Sequence, residues 1–240
     1  MFGFQTDAET PSMIEYIFQL DSGKTLNFRV NINREYEIKA DKAFHSFWTR
    51  LDYHQCSNCP LSPAEYKYCP TAVDLQEIIA IFSPFLSHVR VLVTVKTPER
   101  QYSKTCDLQT GLQSLLGLVM ATSACPILSR LWPLANFHLP FATTQDTLFR
   151  TVGAYLIYQY FIFSEGGKAD FELRELKSFY NSLEELNACF TDRIRIASKS
   201  DANLNAVVQL GALSFMVYVS LEEQLREFRK TFQKNLPKSV

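Results

Sequence analysis

The sequence predicts an α+β protein: a small antiparallel sheet of two hairpins with a helix and a zinc loop, followed by an antiparallel bundle of four to five helices. Three observations carry this. Apolar and polar residues alternate strictly in two stretches of the first 106 residues. Residues 107–240 instead repeat apolar positions at helical spacing, punctuated by capping signals. Between the two alternating stretches lies a compact His/Cys cluster with metal-ligand spacing. Period two places successive side chains on opposite faces of a strand, whereas the helical period gathers them on one stripe.

Ile14, Tyr16, Phe18 and Leu20 alternate, as do Leu26, Phe28, Val30 and Ile32, and Asp21-Ser22-Gly23-Lys24 supplies the turn between them. This predicts a hairpin. A second hairpin is predicted where Val89, Val91, Val93 and Val95 alternate before Thr97-Pro98-Glu99-Arg100, with a short return strand from about Gln101 to Cys106. A helix is expected between the hairpins. Thr71 would be its N-cap with Asp74 at the reciprocal position, followed by Val73, Leu75, Ile78, Ile79 and Phe82. Further on, Asp107 can cap a helix to about Thr122, and Pro126 fits the first turn of a short one. Thr143-Thr144-Gln145-Asp146 reads as a capping box opening a helix through Phe163, which Gly166-Gly167 ends. Helices from about Phe171 to Ala197 and from Ser200-Asp201 to about Lys234 complete the chain. The expected organisation is a disordered lead-in over 1–12, an α+β zinc-loop subdomain over 13–106 and a helical subdomain over 107–240. No flexible linker separates the last two, so a shared core is open to them.

The chain has 240 residues, 47% of them hydrophobic and 20% charged, which suits a folded core and argues against disorder. Its net charge is −1, and Lys/Arg against Asp/Glu is 11 to 12 in residues 1–106 and 13 to 13 in the remainder. No basic stripe marks a nucleic-acid surface. The apolar stretches Leu148–Phe163 and Ala206–Leu221 fall short of a membrane span and are expected to be helices buried on nearly all sides. Without an export signal at the N-terminus, the six cysteines read as thiols and the location as cytoplasmic.

The metal motif is His54-Gln55-Cys56-Ser57-Asn58-Cys59-Pro60, then Cys69-Pro70 nine residues on. A Cys-x2-Cys turn brings two thiolates to one ion, Cys69 can close a tetrahedron and His54 supplies the fourth ligand. Four ligands fill the shell of Zn2+ and leave no open position for a reacting water, so the site reads as structural. An iron–sulfur cluster is the alternative, since Cys59-Pro60 and Cys69-Pro70 resemble the Cys-Pro ending of ferredoxin runs. It ranks second because such sites more usually hold a third closely spaced cysteine and no histidine. Trp48, Leu51 and Tyr53 can anchor the apolar side of the loop.

Catalytic candidates are weak. Cys125 precedes Pro126 at an expected helix start, where the helix dipole can lower a thiol pKa, and His138 is the base that could serve it. A buried structural thiol is the default for Cys125. Asp201, Asn203 and Asn205 read as capping residues, with a binding role open if Asp146 or Arg150 faces the same cavity. No phosphate loop, nucleophile elbow or dinucleotide fingerprint occurs.

The segments HQCSNCPL, CPTAVDL, DLQTGLQSLLGLVMATSACPILS, FHLPFATTQDTLFRTVGAYL and DANLNA together resemble an uncharacterised bacterial protein family with an HxCxxCP…CP motif and a helical C-terminal half. The resemblance covers nearly all of the chain after the first dozen residues and implies a common fold, a retained metal motif and a bacterial origin, with no activity attached. The function expected is therefore that of a zinc-stabilised, non-enzymatic binding or regulatory protein whose partner is another protein. The alternatives are an enzyme with a pocket among the C-terminal helices, lined by Cys125, His138, Arg150 and Asp201, and an iron–sulfur redox sensor using His54, Cys56, Cys59 and Cys69.

Overall fold

The computed structural model describes residues 13–34 and 45–233. The expected lead-in over 1–12 and the end of the last helix at Lys234 lie outside them. The described residues form a four-stranded antiparallel sheet and six α-helices.

Strands β1 (Met13–Leu20) and β2 (Thr25–Asn31) form the first hairpin, and β3 (Arg90–Lys96) and β4 (Gln101–Asp107) the second. Gly23, at φ 82°, turns the first, a conformation open to glycine at no steric cost. The two hairpins join through β1 and β3 in the order β2-β1-β3-β4, with Tyr16 opposite Val95 and Phe18 opposite Val93. The alternation then has its consequence. Ile14, Tyr16, Phe18, Leu20, Val91, Val93 and Val95 are buried on one face, and the intervening residues leave the other face to water.

Helix α1 (Pro70–Phe82) and α2 (Leu108–Ala121) cover that face. The expected capping at Thr71 and Asp74 is corrected. Cys69 is the N-cap and Pro70 opens the helix, while Asp74 receives Arg34 in a two-pronged ion pair at 2.8 and 2.6 Å. A carboxylate within reach of a guanidinium takes the stronger, charge-assisted partner. Asp107 likewise stands at the N-cap of α2 without capping it, and pairs with Arg90 at 3.1 Å. Gly111 of α2 lets the helix settle on the sheet, since a Cβ there would come within 2.8 Å of Phe18 and Val93.

After α2 come a 3₁₀ turn (Leu128–Leu131) and the short α3 (Trp132–Asn136), in place of the single short helix expected at Pro126. Helix α4 (Thr144–Ser164) opens with the expected capping box: Thr143 and Asp146 bond each other's backbone at 2.9 and 3.1 Å. Helices α5 (Arg174–Ala197) and α6 (Ala202–Phe232) pack along each other, and α6 also packs on α2. α5 begins later than Phe171 because Leu173 takes a left-handed conformation, φ 61°. One buried apolar cluster runs from the sheet through α2 into α5 and α6 without a break at residue 107.

The expectation that α4 and α6 are buried on nearly all sides does not hold. In α4 only Leu148, Thr151, Val152 and Gln159 are buried, and Ile157, Tyr158, Tyr160, Phe161 and Phe163 are each more than half exposed. α6 has the length and composition of a membrane-crossing helix, yet 28% of its most apolar window is buried. Apolar composition reports what a helix can bury, and these two have more apolar surface than the neighbours present can cover.

Two substitutions test the packing. Gly111→Ala should destabilise the chain by about 1–3 kcal/mol through overpacking against Phe18 and Val93. Gly153→Ala, with open space around its Cβ, should stabilise α4 by up to about 1 kcal/mol. Urea unfolding of both variants checks the pair, and equal shifts would contradict the packing described.

Candidate metal centre

Residues 45–69 form one long excursion between β2 and α1, with only a single 3₁₀ turn (Phe47–Thr49) inside it. Its ends are stitched together by Leu51 N–H to Lys67 O at 2.9 Å and Cys69 N–H to Thr49 O at 2.8 Å. Trp48 and Leu51 are buried and Tyr53 packs against the core, as expected of the loop's apolar side.

The loop is clamped to α5. Asn58 donates from Nδ2 to Ser182 O at 2.8 Å, and Ser57 Oγ reaches Glu185 Oε2 at 3.4 Å. The strongest clamp is Arg193, 1% exposed. Its guanidinium donates to four loop carbonyls: Trp48 at 2.9 Å, Arg50 at 2.7 Å, Leu51 at 3.0 Å and His54 at 3.2 Å. Among the described residues no carboxylate stands within ion-pair distance of it. A buried cation satisfied by carbonyls alone keeps its full charge in a low-dielectric interior.

Beside Arg193 lies a small cavity of about 20 Å³. Cys56, Cys59, Cys69 and Cys125 all line it, with Leu61, Phe190 and other apolar side chains completing the wall. His54 is not in that wall. Its ring stands edge-on to Tyr53 and its backbone is left-handed, φ 43°. Cys125 arrives from the far end of α2. Its approach is fixed by a buried hydroxyl pair, Thr71 Oγ1 to Ser123 Oγ at 2.8 Å, which ties the start of α1 to the turn after α2. Among the described residues no three His, Cys, Asp or Glu side chains converge closely enough to hold a single ion.

Cys69 and Cys125 share a local structure. Each is followed by proline at the start of a helical turn, so backbone N–H groups freed by that turn face the sulfur: Ala72 for Cys69, and Ile127 and Leu128 for Cys125. Burial nevertheless pushes the Cys56 thiol up to about 12 and that of Cys69 up to about 11, and raises Cys125 as well. Arg193 opposes the rise at Cys56 and Cys69. Without a metal these thiols therefore stay protonated at neutral pH, and a metal would have to displace their protons.

His138 lies elsewhere. With Ser114, Arg150 and Tyr180 it lines a cavity of about 160 Å³ between α2, α4, α5 and α6. Its Nε2 meets the Tyr16 hydroxyl at 2.6 Å, and Tyr16 also bonds Ser114 at 2.8 Å. Burial, helped by nearby Arg150, pushes the imidazole down to about 3. Arg150 spends its guanidinium on Leu134 O and Phe137 O, each at 2.6 Å. Asp201 is not in this cavity; it accepts from Ser87 N–H and Oγ, both at 2.8 Å. The structure thus places Cys125 and His138 in different cavities, and Cys125 with the loop cysteines. The sequence signal that pairs Cys125 with them is the repeated Cys-Pro: Cys59-Pro60, Cys69-Pro70 and Cys125-Pro126.

A family model described as Domain of unknown function (DUF6901) matches residues 14–233, and the chain belongs to that family. No curated protein and no solved structure matches it.

Arg193→Met should cost about 3 kcal/mol or more, because it leaves several buried carbonyls unsatisfied at about 1–3 kcal/mol each. Chemical denaturation measures this, and a loss below about 1 kcal/mol would contradict the clamp. His138 is neutral when folded, while the unfolded chain takes up a proton below about 6.5, so its contribution is full above that value and declines as pH falls toward 3. Melting temperatures from about pH 7.5 to about pH 4.5 should fall more steeply for the parent chain than for His138→Gln. Parallel curves would contradict the assignment.

Proposed function

We propose that this chain is a metal-stabilised protein without catalysis of its own, which works through protein–protein binding. The observation that carries the binding reading is the uncovered face of α4 and α6. Residues 151–164 of α4 contain no charged side chain and expose Ile157, Tyr158, Tyr160, Phe161 and Phe163. Residues 202–220 of α6 are also uncharged and expose Val208, Phe215, Met216 and Val219. Aromatic enrichment with charge depletion is the composition of an interface core, and a groove of about 650 Å³ runs beside α4 along Tyr155, Tyr158 and Phe179.

A metal bound by Cys56, Cys59 and Cys69 would serve the same end by giving a shape to a loop with little secondary structure. A zinc ion with His54 as fourth ligand is one reading of that centre, and an iron–sulfur centre is the other. Six free thiols accord with a reducing compartment, here the bacterial cytoplasm. A net charge of −1 gives nucleic acid no purchase. The enzyme reading would use the His138 cavity, where Tyr16, Ser114, His138 and Arg150 spend their hydrogen bonds on one another and on backbone.

The occupant proposed for the apolar face is a second copy of the chain. With no charge in either stretch, two copies meet without like charges opposing. Sedimentation of the full chain should show a dimer or larger species. The double variant Ile157→Lys, Phe161→Lys should be monomeric, with association weakened tenfold or more (about 1.4 kcal/mol), an unchanged far-ultraviolet circular dichroism spectrum and a melting temperature that no longer depends on protein concentration. A monomeric parent chain, or a parent that floats with phospholipid vesicles, would overturn the reading.

A further inference from the structure

We propose that the cavity of about 160 Å³ between α2, α4, α5 and α6 binds a small apolar monocarboxylate, whose acid group is held by Arg150 and His138. This site is separate from the thiol cavity and from the outer faces of α4 and α6.

The wall sets the chemistry. Leu118, Leu128, Leu134, Leu183, Leu210 and Leu213 give much of the cavity an aliphatic lining. Among the described residues Arg150 is the one cation in that wall, and neither Asp nor Glu lines it. Asp146, one turn before Arg150 on α4, closes the capping box with Thr143 instead. A cation in an apolar pocket without a carboxylate is electrostatically incomplete, and an anion with an apolar body completes it.

The cation has donors to give. Both of its carbonyl contacts, to Leu134 O and Phe137 O, leave from Nη2. Nε and Nη1 donate to nothing among the described residues. A guanidinium N–H to a carboxylate oxygen is one of the stronger, charge-assisted hydrogen bonds.

His138 supplies a second donor, and a chain of hydrogen bonds decides which nitrogen carries its proton. Phe141 N–H donates to Ser114 Oγ at 3.2 Å, Ser114 meets the Tyr16 hydroxyl at 2.8 Å, and Tyr16 meets His138 Nε2 at 2.6 Å. With Ser114 donating to Tyr16 and Tyr16 donating to Nε2, both hydroxyl protons are used and Nε2 is the acceptor. The neutral ring then holds its proton on Nδ1, which has no acceptor among the described residues.

Size narrows the ligand. A cavity of about 150 Å³ holds one benzene-sized molecule. The 160 Å³ here suits a single ring, or a chain of about six carbons, with the carboxylate at one end.

The test is calorimetric titration of the full chain with benzoate and with hexanoate, each beside its uncharged amide, benzamide and hexanamide. The tighter acid should bind with a dissociation constant below about 1 mM and at least about tenfold tighter than its amide. Arg150→Met should remove that advantage. Ala142→Phe, which puts a ring into the cavity wall, should abolish binding in a chain that still folds. Acids that bind no tighter than their amides, or only above about 1 mM, would overturn the proposal. Binding that survives in a folded Ala142→Phe chain would overturn it too. If Arg150→Met does not fold, the ratio of acid to amide affinity on the parent chain decides.

Discussion

The guanidinium of Arg193 is a full positive charge in the interior, and much of the structure is arranged to receive it. Four carbonyls of the 48–54 segment turn inward to accept its protons. That arrangement holds the loop against α5, and the loop in turn carries Cys56 and Cys59 to the wall of the thiol cavity. A backbone segment with so little internal hydrogen bonding needs an external organiser, and one buried donor with a rigid fork supplies it.

The second organiser is the pairing of two helix starts. Thr71 and Ser123 exchange a buried hydrogen bond beside Cys69 and Cys125, which both line one cavity. Cysteines from three places in the chain thereby line one cavity, packed against the apolar cluster of α2, α5 and the sheet. The N-terminal half is held in shape from within, whereas α4 and α6 turn their uncharged faces outward. One side of the molecule is thus held by internal contacts, and the other leaves uncharged, largely apolar helix faces exposed.

Much of the fold was legible in the sequence where a local rule had no competitor. Both hairpins, their turns, and the Thr143–Asp146 capping box follow from period and capping alone. Asp74 and Asp107 were misread because each found a distant arginine, Arg34 and Arg90, which no local pattern reveals. The burial of α4 and α6 was misjudged for a related reason, since period and composition describe a helix but not how many neighbours reach it. Three of the four cavity thiols were legible from spacing. Cys125 reads from the sequence as a buried structural thiol, with a weaker nucleophile reading from its place before Pro126, and only the Cys-Pro repeat hints that it joins the loop cysteines. Arg193 was also visible in principle. It falls on the apolar stripe of α5 with Leu186, Phe190 and Ile194, where a charge demands an explanation.

Amide hydrogen exchange in the parent chain and in Arg193→Met tests the central claim most directly, because it reads whether the buried guanidinium holds the loop in place. The account predicts that the Leu51 and Cys69 amides, which bond Lys67 O and Thr49 O, lose protection in Arg193→Met while the β1 amides keep theirs. Unchanged protection at Leu51 and Cys69 would contradict it.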